Sequence, residues 1–207
     1  MYSNIKYSGL LEKNKKNIIS LNELKDYLRI DYEDEDNLLE MLINSACEDV
    51  ENIVGKSILP QKWKQDVDIL LDNCDSVFLF EFPIMHNAKV KIPLVHKPVI
   101  NIISVWTTKN ILDKEYYNVR TDLMTPALYI NPMALIGTAQ DKKISLGITY
   151  ETGMYPDISS VPDKIKLSVL MLAADKFYQR GAVNPAFLKN DNSGIKKLLS
   201  EYKDFYI

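Results

Sequence analysis

The hydrophobic period changes twice along this chain, and that limits the fold more than anything in its composition. From about Gln61 to Tyr155, apolar residues alternate or come in short β-branched runs. These are KWKQDVDI, VFLFEF, AKVKIPL, VINIISVWTT, EYYNV, ALYI and KISLGITYE. Segments of this kind predict strands. Pro83, Pro93, Pro98, Pro126 and Pro132 punctuate them. Proline offers no N–H to a ladder, so these strands belong to edges and turns and not to the middle of a parallel sheet. No helical stripe separates them, which excludes βαβ units. The stretch reads as a small antiparallel sheet or barrel with hairpins.

Helical spacing flanks this zone on both sides. Ser20-Leu21-Asn22-Glu23 is a capping box, and Leu21, Leu24 and Leu28 follow on one face of a short helix ending near Arg29. Leu38, Leu39, Leu42, Ile43, Ala46, Val50, Ile53 and Val54 then form a wide apolar stripe that Gly55 closes. After the β zone, Ser160-Val161-Pro162-Asp163 supplies an N-cap, an early proline and an acidic third position. Ile165, Val169, Leu172, Ala173, Lys176 and Phe177 run from there down one face towards Arg180 and Gly181. AVNPAFLKNDNSG carries turn chemistry, and Ile195, Leu198, Leu199, Tyr202, Phe205 and Tyr206 suit a last amphipathic helix.

The fold class expected is therefore α+β, with N- and C-terminal helices packed as a small bundle around a central antiparallel β-rich insert. The 207 residues fit a single domain. Its zones are a flexible arm over 1–19, helices over 20–60, the β-rich insert over 61–155 and C-terminal helices over 160–207.

The acidic run in RIDYEDEDNLLEMLI places Asp31, Glu33, Asp34, Glu35 and Asp36 within six positions. A calcium loop starting at Asp31 would need Gly sixth and Glu twelfth, where the chain has Asp36 and Leu42. Carboxylates just ahead of a helix instead meet the positive end of its dipole. Other chemistry is sparse. GxGxxG, GxxxxGK[ST], GxSxG and HExxH motifs do not occur. His86 and His96 could meet across a hairpin and, with Cys74 or Asp75, hold zinc; turn histidines are more often surface or hydrogen-bonding groups. Glu48, Asp49 and Glu51 read as a solvated helix face, and the aromatics of the β zone as packing. No cofactor is expected.

A net charge of −3 gives no general attraction to nucleic acid, and only short lysine pairs stand out as local basic sequence. Two cysteines do not make a disulfide framework, and Cys47, at a helical apolar position, is expected as a buried thiol. MYSNIKYSGLLEKNKKN lacks the apolar core of a signal peptide, so folding in a reducing cytoplasm, without a membrane, is expected.

LNELKDYLRIDYEDEDNLLEMLINSACEDVENIVGKSILPQKW, residues 21–63, resembles the N-terminal signature of the head–tail connector proteins of long-tailed bacteriophages, prophages and gene transfer agents. The shared pattern is a short helix ending in Leu28-Arg29, then Ile30, an acidic stretch, a long helix, Gly55 and Leu59-Pro60-Gln61-x-Trp63. KIPLVHKPVINIISVWTT, YYNVRTD, ITYETGMYPDISSVPDKIKLSVLMLAADKFYQRGAV and IKKLLSEYKDF extend the likeness to about Phe205. In these segments the Leu-Pro order is reversed at Pro93-Leu94, and Lys203 stands where the family has Arg.

The resemblance implies a structural subunit, not an enzyme. Such proteins form an oligomeric adaptor ring, usually of twelve copies, between the portal and the stopper or tail-completion proteins. DNA passes through as channel contents. The expected location is the virion neck, reached from the host cytoplasm during assembly. On this reading Ile195, Leu198, Leu199, Tyr202, Phe205 and Tyr206 are the portal-facing residues, while Asp31, Glu33, Asp34, Glu35 and Asp36 face a neighbouring subunit or the channel. The competing expectation is a small metal-dependent hydrolase built on His86 and His96. A stopper or tail-terminator protein, being mostly β, fits the flanking helices less well.

Overall fold

Strand alternation and helix caps together organise the chain into two compact units, Met1–Lys13 with Pro60–Met154 and Asn14–Leu59 with Tyr155–Ile207. The structure, a computed structural model, describes residues 2–13, 17–70, 89–121, 125–135, 138, 143–179 and 193–203. Its class is α+β with antiparallel sheets.

The first unit holds seven described strands: β1 Tyr2–Glu12, β2 Gln61–Leu70, β3 Val90–Pro93, β4 Val99–Thr107, β5 Tyr117–Arg120, β6 Ala127–Ile130 and β7 Lys143–Thr152. They form a four-stranded sheet in the order β1-β2-β7-β4 and a three-stranded sheet in the order β3-β6-β5, with every pairing antiparallel. Period-two alternation sets which face is inside. Val67 and Ile69 of β2 and Ile144, Leu146, Ile148 and Tyr150 of β7 are buried. They share one core with Ile92 of β3, Val105 of β4 and Leu128 and Ile130 of β6. The prolines fall where a missing N–H is harmless: Pro93 ends β3, Pro98 follows a cis bond just before β4, and Pro126 precedes β6.

Residues 2–12, expected as a flexible arm, are instead β1, paired with β2 along its length. Register shifts between Ile5 and Tyr7 and between Leu10 and Glu12 explain why its sequence does not alternate: each extra residue resets the inside–outside parity. The expected strand at VFLFEF lies outside the described residues.

The second unit is helical. α1 (Leu21–Leu28) starts with the Ser20–Glu23 capping box and stops at Arg29, whose φ of 57° is left-handed. α2 (Asp36–Val54) buries Leu39, Ile43, Ala46, Cys47, Val50 and Val54, and ends at Gly55 with φ 73°, where a side chain would be strained. α3 (Asp163–Tyr178) buries Ile165, Val169, Leu172, Ala173 and Phe177. α1, α2 and α3 pack against one another, and α4 (Ser193–Leu198) packs on α3.

Two boundaries differ from expectation. Ser160 does not cap α3. It belongs to a 3-10 turn, Ile158–Ser160, capped by Asp157, and Pro162 occupies the cap position with no side-chain bond. The expected last amphipathic helix is, among the described residues, α4 followed by a 3-10 turn, Ser200–Tyr202. Among the described residues no helix is long and apolar enough to cross a membrane.

Candidate functional site

The acidic run divides in two. Asp31, Glu33 and Asp34 are exposed. Glu35 occupies the cap position of α2, where its carbonyl accepts from Leu39 N–H at 2.9 Å and its carboxylate from the Tyr32 hydroxyl at 3.0 Å. Asp36 is the first helical residue and pairs with Lys25 of α1. The last two carboxylates are thus used in starting α2 and tying it to α1, and the first three remain on the surface.

The tail also divides. Ile195 and Leu199 are buried, and Leu198 and Tyr202 are half-buried. Lys56 donates to the Tyr202 carbonyl at 2.8 Å, and Lys164 pairs with Glu201 at 2.9 Å. Burial, then the neighbouring Glu201, pushes the Tyr202 phenol up to about 12. Phe205 and Tyr206 lie outside the described residues.

His96 sits in a polar network inside the first unit. Its ring stacks on Trp63, with centroids 3.4 Å apart and planes 11° from parallel, and its Nε2 is hydrogen-bonded to Ser8 Oγ of β1 at 2.9 Å. The His96 backbone N–H donates to the Tyr150 hydroxyl at 3.2 Å, which donates to Gln65 Oε1 at 3.2 Å. The same oxygen accepts from Val95 N–H at 3.1 Å, while the Gln65 amide donates to the Pro93 carbonyl at 2.8 Å. Burial lowers the His96 imidazole to about 4 and, as the main cause, raises the Tyr150 phenol to about 12. Neutral imidazole and neutral phenol are the forms this network holds. His86 lies outside the described residues, and among those residues no group of three His, Cys, Asp or Glu is placed to hold a metal.

The opposite face of the four-stranded sheet is a charge lattice. Asp68, its side chain 8% exposed, accepts from Ser145 Oγ at 2.7 Å and pairs with Lys6 at 2.9 Å and Lys143 at 3.2 Å. Burial alone would raise its carboxyl. The hydroxyl and two ammonium groups outweigh it and hold the carboxyl below the ordinary value. Lys64 Nζ lies 4.9 Å from the centroid of the Trp106 ring, which covers Gly147 on the neighbouring strand. A Cβ at Gly147 would fall inside that ring, so only glycine admits this close approach.

The network around Gln65 escaped sequence reasoning, although one signal was present. Gln65 stands at the parity of Val67 and Ile69, and a polar residue on the inward face of a strand needs a buried partner.

Residues 18–120 match the family described as "Phage gp6-like head-tail connector protein", and the chain belongs to that head–tail connector family. Its fold is similar to that of a chain in the neck of an empty GTA particle computed with C6 symmetry: TM-score 0.66 and 13% identity over 97% of each chain. A chain in the virion of a native gene transfer agent particle gives 0.62 and 14%, over 97% of this chain and 96% of that one. A chain in the neck of a native GTA particle computed with C12 symmetry gives 0.58 and 15%, over 96% and 97%. At these identities the likeness is one of fold. No curated protein sequence matches the chain.

Proposed function

We propose that this chain is a structural subunit of the neck of a phage, prophage or gene transfer agent particle, forming an oligomeric adaptor ring between the portal and the stopper or tail-completion proteins. In that role it extends the channel, and DNA is only its contents. The observation that carries the reading is the head–tail connector match over residues 18–120 in a chain whose fold follows particle-neck chains over nearly its whole length. Twelve copies is the ring size we favour, in keeping with the C12 symmetry applied to one of those necks.

In this reading the helical unit, a small bundle interrupted in sequence between α2 and α3 by all of the β-rich unit except β1, supplies the neighbour contacts. Exposed Tyr27, Met41, Leu167 and Tyr178 on that unit are the kind of apolar surface a partner covers. Asp31, Glu33 and Asp34 face a neighbouring subunit or the channel. The portal-docking role falls on Leu198, Tyr202, Phe205 and Tyr206, since Ile195 and Leu199 already serve the subunit's own core.

Co-expression with a portal protein from the same particle, followed by electron microscopy, tests the reading. A ring seated on the portal is expected, and the double variant Phe205→Ala/Tyr206→Ala should lose it while the subunit stays folded. A wild-type chain that neither co-purifies with portal nor rings on it would refute the function. An intact ring in the double variant would refute the tail's part alone.

A further inference from the structure

At one end of α1 the helical unit carries an exposed arginine, and at the other an apolar groove with carboxylates on it. Among the described residues Arg29 is the only non-glycine with positive φ, at 57°. That left-handed turn closes α1, with Arg29 N–H donating to the Asp26 carbonyl and Ile30 N–H to the Lys25 carbonyl. Glycine or asparagine is usual there, because a Cβ crowds the backbone. An arginine held against that preference points to a use for its side chain. The residue is exposed and has no ion pair among the described residues. The groove, about 270 Å³, lies where α1 begins, and its lining includes Ile18, Leu21, Ile43 and Ile158 together with Glu23 and Glu40. Glu23 Oε2 accepts from the Ser20 N–H at 2.6 Å and from the Ser20 hydroxyl at 2.8 Å, which fixes that carboxylate. Glu40 is exposed and, among the described residues, has no ion pair. Lys166 of α3 acts electrostatically on Glu23.

We infer that Arg29 of one copy docks in this groove on the next copy, joining the copies head to tail. Docking of this kind rests on the adaptor-ring reading and would build that ring. Charge and shape both fit. An arginine lays an aliphatic stem on apolar walls and presents a planar fork to carboxylates. Leu21 and Ile158 supply such walls, and Glu23 and Glu40 the carboxylates. Pockets for small molecules usually run to about 300–1,000 Å³, and this groove falls below that range, at the scale of one side chain. The charge pattern continues past the arginine. Asp31, Glu33 and Asp34 follow it and are exposed, so docking sets an acidic loop towards Lys166 beside Glu23. Arg29 does not serve its own groove. Six residues separate it from Glu23, about 9 Å of helix axis and about one and two-thirds turns, which puts it on another face. One end of α1 filling a groove at the other end of a neighbour's α1 is a heterologous contact, the kind that closes rings.

Sedimentation velocity of the full-length chain over a concentration series tests it, with electron microscopy of portal complexes beside it. Where wild type associates only on portal, ring integrity is the readout. Arg29→Glu and Glu40→Arg should each weaken association of copies about tenfold or more. The double variant Arg29→Glu/Glu40→Arg should recover much of that loss. Arg29→Gly separates docking from folding: glycine suits the left-handed turn, so the urea midpoint should hold or rise while association falls. Circular dichroism checks that each charge variant is folded. Arg29→Gly and Arg29→Glu chains that associate and ring like wild type overturn the inference. So do single variants that lose association with no recovery in the double, and a wild-type chain that binds portal only as separate copies. Loss of portal binding with copy-to-copy association intact would make portal the occupant, which overturns it too. Portal co-purification scores the proposed function and copy-to-copy contact scores this docking, so the two failures are told apart.

Discussion

The two units are ordered by different kinds of contact. In the helical unit the residues that begin α1 hold each other across three positions, Ser20 with Glu23, and Gly55 ends α2 by bonding back to Glu51. In the β unit Gln65 reaches Val95, thirty positions on, and Tyr150, eighty-five on, while His96 reaches back eighty-eight positions to Ser8. A helix that can start and stop on its own neighbours is readable from a short window of sequence. A sheet whose inner polar groups find partners across the chain is not. The difference also separates how the units should fail, since a cap is lost by itself while a network loses several bonds together.

The largest effect is expected in the helical core. Ile43 is fully buried on α2, and Ile43→Ala should cost about 2–5 kcal/mol through lost transfer energy and the cavity left behind. Amide hydrogen exchange gives the sharper measurement. Protection should fall across α1, α2 and α3 while β2 and β7 keep theirs. An equal fall in both units would erase the distinction drawn between them.

Acid should find the β unit next. The His96 imidazole is lowered from 6.5 to about 4 by burial, so the unfolded chain takes up a proton that the folded chain refuses. The sign follows: stability is constant above about pH 6.5, falls as pH drops towards 4, and flattens below. Asp68 acts in a lower window. Its carboxyl is held below the ordinary value, so its contribution is present above the usual carboxylate range and goes only as pH falls through the depressed one. Urea midpoints at pH 7 and pH 5 check the first window. His96→Gln should be less stable at pH 7 yet lose much of the dependence between the two pH values. A wild-type midpoint that does not move would show that the Trp63 stack and the Ser8 bond leave the imidazole open to protonation.

The same division explains what could be read in advance. Helix stripes, the capping box at Ser20, the left-handed stop at Gly55 and the strand runs of β2, β4, β6 and β7 were legible because each is written in adjacent residues. β1 was not, because two bulges scramble its alternation. The start of α3 was misassigned because Ser160-Val161-Pro162-Asp163 satisfies the local rule for a cap, while Asp157 had already recruited Ser160 to a tighter turn. On the acidic run, sequence gave the helix-start reading of Glu35 and Asp36 but not the pairing of Asp36 with Lys25, which depends on the way α1 and α2 pack.

The smallest effect completes the comparison from the helical side. In α1, Ser20 Oγ accepts from Glu23 N–H at 3.2 Å, and the Glu23 carboxylate accepts from Ser20 N–H at 2.6 Å. That backbone bond and the Ser20 hydroxyl lower the Glu23 carboxyl below its usual value. Ser20→Ala removes the hydroxyl and leaves the backbone bond, so the cost should be about 1 kcal/mol, the ordinary worth of a cap. The loss should stay local, seen as faster amide exchange in the first turn of α1 with β-unit amides and the pH dependence set by His96 unchanged. A Ser20→Ala chain that loses protection in β2 or β7 would mean that this short-range device is holding long-range structure, and local legibility would then be the wrong account of the helical unit.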